Sequence, residues 1–400
     1  MALKTVIWRR VVDVNDRMLR NIVTGLGGPA NGIPTETGFD ITVASELMAV
    51  LCLATDLDDL RARLDRLVVG IKRDGSAYTC KELGATGSLM ALLLEAMKPN
   101  LVQTLEGNLA FVHGGPFANI AHGCNSVVAT KAAMTLGDWA ITEAGFGSDL
   151  GAEKFLNIKC RAAGLKPCAI VLVTSTKALK WHGGVPLPDI GKPDVEALKK
   201  GISNLDAHID NLKHFGPQIV VSLNHFATDT EEEIEIIRAH CASRGVLFAV
   251  CDGFSLGGKG AIELAQAVMK AAQSEPEALN FSYEADDDIV TKITKLATGV
   301  YGAADIELSP AAQKDLKQIQ ELGFDRLPVC VAKTPYSLSH EPTLLGAPKG
   351  FTLPVQRLIL NAGAGFVVAT TGAIMRMPGL PKKPAALHID VVDGKIVGLS

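Results

Sequence analysis

Three short runs of aliphatic residues constrain the fold more than any other feature of the chain: Ala169-Ile-Val-Leu-Val-Thr174, Ile219-Val-Val-Ser-Leu223 and Val246-Leu-Phe-Ala-Val250. Each is too short for a helix and apolar enough for a strand buried on both faces. Between the second and third, Thr230 and Glu233 stand at capping-box spacing, and Ile234, Ile237 and Cys241 share one helical face. After the third, Gly257-Gly-Lys-Gly260 leads into Ala261–Ala272, a run of strong helix formers. Strand, helix, strand and helix at this spacing predict a parallel sheet with right-handed crossovers. Functional groups then gather beyond the carboxyl ends of the strands. Those groups are Asn224, His225, Phe226, Thr228 and Asp229 after one strand, and Asp252 and Phe254 after the next.

The rest of the composition narrows the class. A chain of 400 residues is long enough for roughly two to four domains. Its 39 basic and 43 acidic residues leave a net charge of −4, which argues against a nucleic-acid or membrane-surface binder, since both need a basic stripe. With 48% apolar and 20% charged residues, long disorder is excluded. Aromatics are 5% and glycines number 39, so the core is built from Ala, Val, Leu and Ile with many tight turns. This is the profile of a soluble α/β enzyme. The start of the chain, Met1-Ala-Leu-Lys running into Trp8-Arg-Arg10, predicts no secretory leader. The most apolar windows, Ile41–Ala54 and Leu360–Met375, fall short of the roughly 18 clean apolar residues of a membrane span. Eight cysteines are scattered without C-x-x-C pairs or zinc-type Cys/His spacing. They predict small buried residues in a reducing, cytoplasmic compartment and no metal site.

Pro186–Pro193 supplies turn residues without periodicity and predicts an exposed loop. Past Pro328 short apolar runs alternate with turns, as in a small strand-rich lobe.

The densest candidate for chemistry is His113-Gly-Gly-Pro-Phe-Ala-Asn-Ile-Ala-His-Gly-Cys-Asn125. Gly114 and Gly115 let the backbone approach a ligand and present amides to an anion. His113, Asn119 and His122 are candidates to hold phosphate or move protons; a tight buried turn is the competing explanation. Lys177, Lys180, Trp181 and His182 follow the first strand, where a lysine beside Gly183-Gly184 would hold a phosphate oxygen or simply line a loop. Phe226 and Phe254, at neighbouring strand ends, suit a flat ring between them or serve as core caps. A phosphate loop of the form G-x-x-x-x-G-K-[ST] does not occur, because each Gly-Lys pair is followed by Pro193, Gly260 or Ile396. Neither G-x-S-x-G nor H-E-x-x-H is present.

Longer strings carry a family resemblance. Trp8–Arg17, Gly38–Glu46, Asn100–Gly107, His113–Asn125, Thr142-Glu-Ala-Gly-Phe-Gly147, Gly151–Phe155 and Met377-Pro-Gly-Leu-Pro381 resemble formate–tetrahydrofolate ligase, in the family's order from about residue 8 onward. The resemblance implies a P-loop NTPase-like or Rossmann-like parallel-sheet core, truncated at its N-terminus, with two smaller α/β lobes. Turn-rich sequence before residue 200 and the change to Gly/Pro-punctuated sequence near 300 set the expected divisions at 1–201, 202–298 and 299–400. The resemblance also implies a homo-oligomer acting on folate with ATP and Mg, formyl phosphate being the activated intermediate. The folate ring would lie among Phe117, Phe226 and Phe254, the last at a position where the family carries tryptophan. The family's N-terminal segment, which holds its Walker A loop, would be missing or sit on a separate chain. Thr35 and Lys177 stand at positions where the family carries arginine, Gly253-Phe-Ser-Leu256 replaces a His-Trp-Ala-Glu string, and Gln356-Arg357 departs from an Arg-acidic pair. Two readings stay open on these grounds: a ligase part completed by a nucleotide-binding segment, or a non-catalytic relative that binds folate or a partner subunit.

Overall fold

A computed structural model describes residues 3–274, 278–372 and 374–399 as a mixed α/β protein with several small sheets. Its first helix, α1 (Glu46–Leu53), starts at Ser45, whose hydroxyl accepts the Met48 amide. Asp56 caps α2 (Leu57–Asp65) through the Asp59 amide. Each cap satisfies a donor that a helix start leaves unpaired. The antiparallel hairpin β1 (Asn100–Gln103) and β2 (Leu109–Val112) follows. Its turn is written locally: Gly107 takes a φ of 84°, and the Thr104 hydroxyl accepts the Asn108 amide.

The parallel sheet predicted in the middle is present. Strands β3 (Ala169–Thr174), β4 (Gln218–Asn224) and β5 (Leu247–Cys251) lie side by side in that order, all parallel. Helices α3 (Thr176–His182) and α4 (Val195–Phe215) make the first crossover and α5 (Glu231–Ser243) the second, while α6 (Ile262–Ala272) follows β5. The Thr230–Glu233 capping box closes in both directions, and Ile234, Ile237 and Cys241 are buried beneath it. Only the central strand is covered on both faces, with Ile219 to Leu223 all buried. At the edge, β3 leaves Val171 and Val173 exposed. Two-sided burial, expected of all three strands, therefore holds for the one with neighbours on both sides.

Farther on, α7 (Ile289–Leu296) packs Ile289, Ile293 and Leu296 into one core with Val329, Val331, Val367 and Ala369. The last two pairs come from β6 (Val329–Ala332) and β8 (Phe366–Thr370), which are parallel; β7 (Arg357–Asn361) joins β8 antiparallel. Cys330, Ala332, Phe366 and Val368 point the opposite way, into the core of α1 and α2. Alternation along β6 and β8 thus serves two clusters at once, as a period of two requires.

Secondary structure and packing cross the positions of the expected divisions. Helix α4 runs unbroken through residue 201, and the middle sheet takes its first strand, β3, from before that point. Helix α7 precedes residue 298 yet belongs to the C-terminal core. Among the described residues no helix is long and apolar enough to cross a membrane. Cys52, Cys80, Cys124, Cys160, Cys241 and Cys330 are buried, and no cysteine is in a disulfide.

Candidate functional site at the strand ends

The carboxyl ends of β3 and β4 are tied together by short polar side chains. Ser175 caps α3 through the Ala178 amide, 3.1 Å away. Next to it, the buried Thr176 hydroxyl donates to the Asp229 carboxylate. The second oxygen of Asp229 accepts the Phe226 amide at 2.9 Å, and the Phe226 carbonyl accepts the Asp229 amide at 2.9 Å. The loop is closed on itself, which fixes the half-buried Phe226 ring. Lys177, one residue after Thr176, places its ammonium 3.8 Å from the Phe226 ring centroid, a close cation–π contact.

At the end of β5, the Cys251 carbonyl accepts the His225 amide at 3.0 Å, and His225 Nδ1 lies 3.5 Å from Asp252 Oδ2. The Ser255 hydroxyl, and then His225, hold the Asp252 carboxyl below its usual range. Phe254 stands in the single turn Gly253–Leu256 with 97% of its surface exposed. The Gly260 carbonyl accepts the Asp252 amide at 2.9 Å, closing this loop as well.

Phe117 belongs to a different part of the chain. Its amide donates to the Val43 carbonyl at 3.4 Å, and its carbonyl accepts the Ala121 amide at 2.7 Å. The rings of Phe117, Phe226 and Phe254 do not stack on one another. A small cavity of about 40 Å³ lies elsewhere, between Ser45, Ile120, Asn361 and Arg376.

Of the three histidines among the phosphate candidates, His113 and His122 are buried and His182 is half-buried. His113 is buried with Nδ1 2.6 Å from the Ser126 hydroxyl and Nε2 2.5 Å from the Ala96 carbonyl. His122 has no exposed surface and no hydrogen-bond partner at either nitrogen, and it packs edge-on to Phe366. Burial, then the Lys159 and Lys154 ammonium groups, push its pKa down to about 3. His182 Nδ1 accepts the Gly346 amide at 3.1 Å, and burial lowers its pKa to about 4. Gly114 and Gly115 keep exposed backbone, and Asn119 is half-buried. Asp229, read from the sequence among the groups at the strand ends, anchors the Phe226 loop; Glu106 in the β1–β2 turn is the participant that sequence reading missed. Glu106 Oε1 accepts the Gly258 amide at 2.6 Å; its sequence signals are its place in the Asn100–Gly107 string and the Gly257-Gly258 pair that leaves room for it.

The parallel α/β unit thus presents an aromatic ring beneath a cation at its strand ends, where open α/β sheets commonly gather functional groups. The family model of formate–tetrahydrofolate ligase matches residues 1–400. Over all 400 residues the chain is 55% identical to the formate–tetrahydrofolate ligase of Phocaeicola vulgatus and 54% identical to that of Parabacteroides distasonis, covering 72% of each. It is also 54% identical over 397 residues to the formate–tetrahydrofolate ligase of Paracoccus denitrificans, spanning 99% of this chain and 71% of that one. The chain belongs to the formate–tetrahydrofolate ligase family.

Proposed function

We propose that this chain serves the ATP-dependent formylation of tetrahydrofolate by formate, as the name of its family describes. The phosphoryl group of ATP passes to a formate oxygen, giving formyl phosphate and ADP. The folate N10 then attacks the formyl carbon, phosphate leaves with the C–O electron pair, and the nitrogen loses its proton. Catalysis of this kind consists mainly of positioning and of screening phosphate charge. Phe226 and Phe254, with Phe117, form the folate side of this reading; the Lys177 ammonium, with the exposed residues Gly114 and Gly115 and with Asn119, forms its phosphate side. The observation that carries this reading is the Lys177–Phe226 contact at the β3 and β4 ends, in a chain matched by the family throughout.

No G-x-x-x-x-G-K-[ST] string lies within residues 1–400, so a phosphate loop of that type would come from residues outside them, in the same polypeptide or another. That segment would also complete a P-loop-like core. Eight free thiols suit a reducing, cytoplasmic setting. The test is to supply the chain with ATP, Mg, formate, tetrahydrofolate and a family N-terminal segment, and to follow formyltetrahydrofolate. Product that depends on this chain is expected; no product with every component present rejects the reading.

A further inference from the structure

The geometry points to Glu106 as a positioning residue for the Phe254 loop, and through it for a folate ring. This rests on the reading of Phe254 as a folate contact. Glu106 sits in the β1–β2 turn, where the Thr104 carbonyl accepts the Gly107 amide at 3.0 Å and the Asn108 carbonyl accepts the Thr104 amide at 2.8 Å. These two hydrogen bonds close the turn where it presents the carboxylate. Oε1 takes the Gly258 amide at 2.6 Å, across 152 positions of sequence.

The fit is close on both sides. A Cβ at Gly258 would lie 2.4 Å from Glu106 Oε2, and one at Gly257 would lie 2.8 Å from Oε1. Gly257 also takes a φ of 59°, so both glycines are needed for the carboxylate to seat. From inside, the same loop is closed by Gly260 against Asp252, where a Cβ would lie 2.2 Å from the Asp252 carbonyl oxygen. Phe254 thus rides on a loop held at its base by Gly260 and at its crest by Glu106. Leu105 and Leu256, chain neighbours of the groups that meet, are exposed, as is Phe254 itself. An aromatic with so little packing of its own keeps its place only through its backbone, and Glu106 is the outside anchor of that backbone. A charge-assisted bond to an amide is among the stronger hydrogen bonds.

Hydrogen exchange and tetrahydrofolate titration on the full chain test this together. In Glu106→Ala, amide exchange across residues 252–261 should quicken roughly tenfold, whereas Glu106→Gln, which keeps an acceptor oxygen, should stay near the parent rate. Tetrahydrofolate affinity should fall roughly three- to tenfold in Glu106→Ala, with no further fall when Phe254→Ala is already present. The unfolding midpoint should not move, since Glu106 is exposed. Unchanged exchange overturns the anchoring, and an equal loss of affinity in the Phe254→Ala background overturns the route through Phe254. A parent chain that binds no tetrahydrofolate overturns the folate reading and this use of Glu106 with it; quickened exchange would then show that only the anchor stands.

Discussion

The Lys180 ammonium and the Glu233 carboxylate meet at 3.1 Å with neither side chain exposed to solvent. They join α3 to α5 beneath the strand ends. Lys180 also donates to the Lys192 carbonyl at 2.9 Å, and Glu233 accepts the Asp194 amide at 3.1 Å. The pair therefore holds the Pro186–Pro193 loop against the crossovers that position Lys177 and Phe226. Burial works against the Glu233 charge, but the Asp194 amide and Lys180 outweigh it and keep the carboxyl below its usual range.

Removing one partner strands the other in the interior. Lys180→Met should lower stability by about 3 kcal/mol or more in chemical denaturation. Adding Glu233→Gln should recover part of that, because the uncompensated charge is gone while an acceptor for the Asp194 amide is kept. If the single variant unfolds like the parent, the buried pair does not hold the crossovers.

Lys177 should matter for the ligand rather than for the fold. An exposed cation–π contact contributes about 0.5–1 kcal/mol, so Lys177→Met should leave the unfolding midpoint nearly unchanged. Tetrahydrofolate affinity should fall several-fold, most at low ionic strength, where a lost charge is least screened. Lys177→Arg should retain affinity, since guanidinium stacks on aromatic faces as well as carrying charge.

His122 gives a pH dependence with a definite sign. Its ordinary value is 6.5, and the folded chain holds it at about 3. Between those values the unfolded chain binds the extra proton, so stability rises with pH across this window. The contribution is complete above pH 6.5 and is lost as pH falls toward 3, at about 1.4 kcal/mol per unit. His122→Leu should flatten the difference in urea midpoint between pH 7 and pH 5. An unchanged slope would mean that another group sets it.

Gly123 takes a φ of 65°, and a Cβ there would lie 2.3 Å from the Ala118 Cβ and 2.4 Å from its Cα. Because the obstacle includes backbone, Gly123→Ala must displace the turn that carries Phe117. A loss of about 1–3 kcal/mol is expected, measurable as a lower midpoint of thermal unfolding.

What the sequence made legible was local. The capping box at Thr230 and the apolar face of Ile234, Ile237 and Cys241 are set by residues a turn apart, and both appear as read. The strand runs were also found, because their composition is extreme. Val171 and Val173 are exposed where two-sided burial is expected, since whether a strand lies at a sheet edge is not written in the strand. The hydrogen-bond partners of His113, the Ala96 carbonyl and the Ser126 hydroxyl, are not legible locally because they lie 17 and 13 positions away. Helix α4 passes through residue 201, near the division set by loop composition, because its apolar face continues across that point. Glu106 was invisible for the same reason as His113: its meaning depends on Gly258, far along the chain.

The most direct test of the account is titration of tetrahydrofolate into the full chain, parent and Phe226→Leu side by side. Saturable binding at one site per chain is expected, weakened about tenfold or more when the ring is lost, as for stacking on an aromatic platform. No saturable binding, or binding that Phe226→Leu leaves unchanged, would contradict a folate site at the strand ends.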